Sequence, residues 1–185
     1  MNDNQASLSG FFTEEHKEIR RALEVLRVMT DRVERGIPTD RHDVNALLLF
    51  LHYFGDVLHQ GKEESILFPA LESSDEFASH AELRGLLEKH HEERGLIEKT
   101  QLMLFTDKQN EFIASAREVI DLLSEHAHQE ELGLFPLASR ILTTAKADGI
   151  QAKLHEADAR FGFRQRELLI DMLRHLEDKY IRKAA

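Results

Sequence analysis

Cysteine is absent from this 185-residue chain, which excludes disulfides, zinc thiolates and Cys-ligated iron–sulfur clusters and fits a cytoplasmic protein. Helix breakers are scarce as well, with three prolines and nine glycines. Beside abundant Leu, Glu, Ala, Arg and Lys, that scarcity predicts an all-α fold. No apolar run is long enough to span a bilayer, and the first ten residues, MNDNQASLSG, are polar and unlike a signal peptide. Positive charge is in deficit: 24 Lys and Arg face 34 Asp and Glu, a formal charge of −10. Neither nucleic acid nor an anionic membrane is expected as a partner. The length suits one domain with a sizeable core.

What the chain does contain is one stretch written twice. HQGKEESILFP at 59–69 matches HAHQEELGLFP at 126–136, pairing His59 with His126, Glu63 with Glu130, Glu64 with Glu131, Leu67 with Leu134, Phe68 with Phe135 and Pro69 with Pro136. A His and a Glu four positions apart lie one turn apart on one helix face, as two ligands to one metal would. Two such pairs point to a dinuclear centre. The repeat extends upstream: EEHKEIRRAL at 14–23 aligns with EKHHEERGLI at 88–97, matching His16 with His90 and Arg20 with Arg94. Each half therefore reads as a helix with one His, a loop, and a helix with HxxxE.

Apolar spacing predicts a first helix from about Phe11 to Arg35, ended by Gly36-Ile37-Pro38-Thr39, with Thr39 or Asp40 capping the next. That second helix runs from about Asp40 to Leu71 with the stripe Leu48, His52, Gly55, His59, Glu63 and Ile66, and Pro69 is expected to kink or end it. A turn at Ser73-Ser74-Asp75 leads to a third helix carrying Leu83, Leu86, Leu87, His90, Ile97 and Leu104. After a break at Thr106 to Asn110, the fourth carries Phe112, Val119, Leu122, His126 and Glu130. A last break at Asp148-Gly149 precedes an amphipathic helix with Leu154, Phe161, Leu168, Met172 and Leu176, and then a basic tail. The architecture expected is an antiparallel up-down four-helix bundle with a C-terminal helical extension. Its organisation is a flexible start at 1–9, the bundle at 10–145 and the extension at 146–185. The extension's apolar stripe should cover the bundle or form a homodimer.

Counting from the turns brings the histidines to one level. His16 lies 21 residues before Ile37 and His59 21 after Pro38, while His90 and His126 are each 18 from Lys108. At about 100° per residue His90 falls within the third helix's apolar arc and His91 at its edge, so His90 is the better ligand. Burying two carboxylates at one level would cost several kcal/mol each without a cation. His52 reads as a core or channel residue and His128 as exposed; Glu64 and Glu131 are second choices within their boxes. The apolar neighbours expected around the site are Leu48, Ile97, Val119 and Leu122. No Lys falls on an inward stripe.

These residues resemble the hemerythrin-like, or HHE cation-binding, domains over roughly residues 10–140. The ordered set is one His in the first helix, HxxxE with a downstream FP in the second, His in the third, and HxxxE with FP in the fourth. The resemblance implies a four-helix bundle holding two iron ions, oxo-bridged when oxidised, with His16, His59, His90 and His126 as terminal ligands and Glu63 and Glu130 bridging. Zinc or manganese would also suit these donors. Oxygen-carrying hemerythrins look like they use a second His one turn along the third helix, where this chain has Arg94. They also look like they use HxxxxD where it has HxxxE. The pattern is nearer the four-His, two-Glu relatives. The function this implies is binding of, or reaction with, a small ligand: oxygen, nitric oxide or a peroxide. The alternatives are iron storage or delivery, iron or oxygen sensing, and an enzyme that removes peroxide or nitric oxide.

Overall fold

A computed structural model describes residues 8–74, 76–77, 80–106, 108–142 and 144–182. Residues 1–7 of the expected flexible start, Asp75 of the expected turn and the last three residues of the tail lie outside them. Among the described residues the chain is all-helical, in six helices. They are α1 (Leu8–Glu34), α2 (residues 41–72), α3 (His80–Leu104), α4 (residues 109–141), α5 (Thr144–Phe161) and α6 (residues 163–182). Leu8 and Ser9, expected in the flexible start, already belong to α1. No helix among the described residues is long and apolar enough to cross a membrane.

The long helices form a bundle in which α1 packs on α2, α4 and α6, and α3 packs on α2 and α4. Helix α1 stops where Gly36 takes φ +69° and the Ile37 N–H turns back to the Arg32 carbonyl at 2.8 Å, a left-handed ending that favours glycine. Asp40 then caps α2, its carboxylate accepting from the His42 N–H at 2.8 Å. The third helix buries Leu83, Leu86, Leu96, Ile97 and Leu104, whereas Leu87, expected inward, is half exposed.

Helices α2 and α4 share a departure from α geometry. Helix α2 widens to i→i+5 pairing over Leu51–Gln60 and again over Glu63–Leu67, and α4 does so over Glu130–Leu134. In the second of these the Phe68 N–H bonds the Glu63 carbonyl, and in α4 the Phe135 N–H bonds the Glu130 carbonyl. Each of these two short wide turns is followed at once by Phe-Pro. The proline has no N–H to donate, and the wide turn lets the helix pass through it. Pro69 therefore does not end α2, which continues to Glu72.

The wide geometry also changes which side chains face inward. Each residue advances less around the axis than in an α-helix, so positions seven apart no longer share a face. His52, expected on the stripe of His59, is instead partly exposed and pairs with Asp56 at 3.3 Å. Lys62, expected outside, is fully buried.

The C-terminal region is two helices rather than one. The chain runs helically through Asp148-Gly149, where a break was expected, and turns instead at Gly162, φ +101°. That turn resets the apolar phase. Leu168, expected inward, is exposed, whereas Leu176, also expected inward, is buried together with Ile170, Leu173 and Tyr180.

The interior has two apolar clusters. One gathers Leu23, Leu26, Leu47, Leu51, Phe54, Ile97, Leu123 and, from α6, Leu173 and Leu176. The other gathers Phe12, Leu67, Phe68, Leu83, Leu134, Phe135 and, from α5, Ile150 and Leu154. The extension thus covers the chain's own bundle at both clusters, with Leu168 left outside that contact.

Candidate metal centre

Between the clusters lies a buried polar layer: His16 from α1, His59 and Glu63 from α2, His90 from α3, His126 and Glu130 from α4. All six are almost wholly inaccessible. His91 and His128 are exposed. Two groups of potential donors form within the layer. In one, His16, His59, Glu63 and Glu130 bring donor atoms within 4.8 Å of one another; in the other, His90, His126 and Glu130 do so.

The two carboxylates lie across both groups. Glu63 turns Oε1 toward His59 Nε2 at 3.6 Å and Oε2 toward His90 Nε2 at 3.5 Å. Glu130 turns Oε2 toward His16 Nε2 at 3.4 Å and Oε1 toward His126 Nε2 at 3.0 Å. Every histidine presents Nε2 to the centre because a carboxylate holds Nδ1. Glu131 is 3.1 Å from Nδ1 of His16, Glu15 is 3.1 Å from that of His59, Glu64 is 2.8 Å from that of His90, and Glu93 is 2.7 Å from that of His126. Ionised carboxylates only accept, so each Nδ1 carries a proton, and in the neutral ring Nε2 is left with the lone pair that a cation would take. Aromatic rings seal the layer: Phe68 lies 5.7 Å from the His90 ring and Phe135 5.3 Å from that of His16. The FP motif thus supplies a ring over the neighbouring helix's histidine and a proline after the wide turn.

Protein groups alone balance this layer badly. His16 and His59 bring their Nε2 atoms to 2.9 Å of each other. Both oxygens of Glu63, Oε1 of Glu130, and Nε2 of His90 and His126 are buried without a hydrogen-bond partner. Burial and the charge of Glu130 push the Glu63 carboxyl well above its ordinary range. Burial, aided by the His16 ring, drives His59 down to about 4 against the pull of Glu15, and His90 also falls through burial and His126. Burial would lower His126 too, but Glu130 and Glu93 outweigh it and raise it to about 10. Glu130 is held far below the usual carboxylate range by His126 and His16 despite its burial. Converging lone pairs and orphaned carboxylate oxygens are the chemistry of a donor set for divalent cations, and the residues fit one.

A family model for the hemerythrin HHE cation-binding domain matches residues 7–138. The chain belongs to that family. It is therefore a cation-binding helical protein of the hemerythrin type, and the match spans α1 to α4 with the whole polar layer. No curated protein and no solved structure matches significantly.

A small cavity of about 20 Å³ adjoins the layer, lined by His16, His59, His126 and Glu130 and by Ile19, Leu51, Ile97 and Leu123. The expected neighbours Leu48 and Leu122 do not line it; Leu51 and Leu123 do. Val119 is buried away from it in the core. Gln60, Glu93, Asp56 and Arg94 supply its polar wall. Gln60 donates to Glu93, leaving its own Oε1 buried without a partner.

Several hemerythrin-site residues lay beyond sequence reasoning. Glu15, Glu93, Gln60 and Lys62 bear no mark in the repeat. Glu64 and Glu131 did bear one, as matched positions, and so did Arg20 and Arg94, which pair with Glu131 and Glu64 respectively.

Proposed function

We propose that the layer holds two iron ions and that the protein binds or reacts with a small ligand there: oxygen, nitric oxide or a peroxide. One observation carries most of this reading. Four imidazole Nε2 atoms and four carboxylate oxygens converge in a buried layer, and five of the eight have no hydrogen-bond partner. In this reading His16 and His59 would hold one ion and His90 and His126 the other, with Glu63 and Glu130, which face both pairs, supplying carboxylate oxygens to the two.

The ions, when bound, would supply Lewis acidity and redox chemistry. The chain's own residues do the rest. Carboxylates on all four Nδ1 atoms fix the tautomers and raise the basicity of the facing nitrogens. Six side chains cannot saturate two six-coordinate ions, which leaves room for a ligand. The cavity is large enough for a water-sized molecule, and Ile19, Leu51, Ile97 and Leu123 form its apolar side.

Elemental analysis of protein expressed in iron-rich medium tests the reading, with about two irons per chain expected. A folded protein with a ratio near zero overturns it, and a ratio near one reduces it to a mononuclear site. Optical spectra of the reduced protein with each ligand added in turn identify which one it takes.

A further inference from the structure

We infer that the two cation positions are electronically unequal and that Lys62 and Asp158 set the difference; this rests on the two-iron reading. Most of the layer obeys the twofold pattern of the sequence. Glu131 with Arg20 behind His16 corresponds to Glu64 with Arg94 behind His90. The pattern fails at the other two histidines. Glu15 accepts from His59 with one oxygen and takes the Lys62 ammonium on the other. Glu93 accepts from His126 with one oxygen and takes the neutral Gln60 amide on the other. Glu15 precedes His16 by one residue and Glu93 follows His90 by three, so the two are not counterparts in the repeat.

All four of these side chains are buried, where charge is poorly screened. A carboxylate already neutralised by an ammonium is a weaker acceptor. Glu15 therefore draws less on the Nδ1 proton of His59 than Glu93 draws on that of His126. His59 is the weaker donor through Nε2 and His126 the stronger, since such partners tune ligand basicity. The stronger donor favours the more oxidised ion, so the His90/His126 position loses its electron first.

Lys62 does not act alone. Its ammonium lies 2.8 Å from Asp158 Oδ1 on α5 and 4.5 Å from the centroid of the Phe11 ring. Asp158 stands outside the residues that match the family. The extension thus reaches the layer through Asp158, Lys62, Glu15 and His59. By sharing the ammonium, Asp158 opposes the effect of Lys62 on Glu15.

The test is potentiometry on the full chain loaded with iron, each step passing one electron to a soluble mediator, after metal content is measured. Wild type is expected to oxidise in two separate one-electron steps. Lys62→Met frees Glu15 and should narrow the separation. Asp158→Asn leaves the whole ammonium on Glu15 and should widen it. Opposite signs are not what a loss of packing would give. Lys62→Arg should keep the wild-type separation, and if Lys62→Met fails to fold, Asp158→Asn decides. A single two-electron step in wild type, no change in the variants, or shifts in the same direction would overturn the inference while two irons remain. A folded wild-type chain without iron would overturn the two-iron reading and this inference together.

Discussion

Glu64 accepts from Nδ1 of His90 at 2.8 Å and binds the Arg94 guanidinium with the same oxygen. Glu131 does likewise for His16, at 3.1 Å, with Arg20 at 2.8 Å. Each HxxxEE box therefore has two uses: its first Glu faces the centre and its second steadies a histidine on a neighbouring helix. Glu64→Gln and Glu131→Gln should each lower metal affinity by about 10–100-fold without unfolding the protein, the usual effect of losing such a partner. Competition with a chelator measures this, and affinity equal to wild type would show the pairs to be surface decoration.

His90→Ala should abolish binding at one position, while His91→Ala should leave metal content unchanged, because His91 is exposed. Elemental analysis of both variants checks the pair. The reverse result would put the third helix one residue out of phase.

How much of this was legible beforehand follows from geometry. The six residues of the layer could be named because a duplicated box and a duplicated His give two independent sightings of one pattern. Helix boundaries were likewise readable at Gly36 and Asp40, where a turn or cap has its own chemistry. The errors gather where the pitch changes. His52 and Lys62 were misplaced because Leu51–Gln60 is wound wider than the α period used to read it. Leu168 was misplaced because one helix was assumed where Gly162 makes two. Glu15 and Glu93 were missed because long-range pairing of a lone carboxylate leaves no periodic trace.

The extension carries a stability prediction. Leu173 and Leu154 are fully buried against the bundle, so either residue changed to Ala should cost about 2–5 kcal/mol. Leu168→Ala should stay within about 0.5 kcal/mol, as exposed positions do. Urea unfolding gives these values, and sedimentation of the same variants should show no change of oligomeric state. A dimer lost in Leu168→Ala would instead assign that exposed face to a subunit interface.

Acid sensitivity has a defined source at the far end of the bundle. Burial would raise the Asp43 carboxyl, but Lys179 at 2.5 Å and the Tyr180 hydroxyl at 2.6 Å outweigh it and hold it below its ordinary value. A carboxyl depressed on folding stabilises the protein above its unfolded pKa, and the contribution fades as pH falls through the lower folded value. Asp43→Asn should therefore be less stable than wild type at pH 7, by about 1 kcal/mol. The gap should close below about pH 4. Denaturation curves at pH 7, 5 and 3.5 check the trend, and a gap that persists undiminished at the lowest pH would rule it out.

The cavity beside the layer, at about 20 Å³, has a consequence of its own. A space that size is a sieve. It has room for about one water-sized molecule, with Ile19, Leu51, Ile97 and Leu123 bounding its apolar side. On the proposed reading, selection by bulk would come before any bond is made, and a small peroxide would be favoured over larger organic ones.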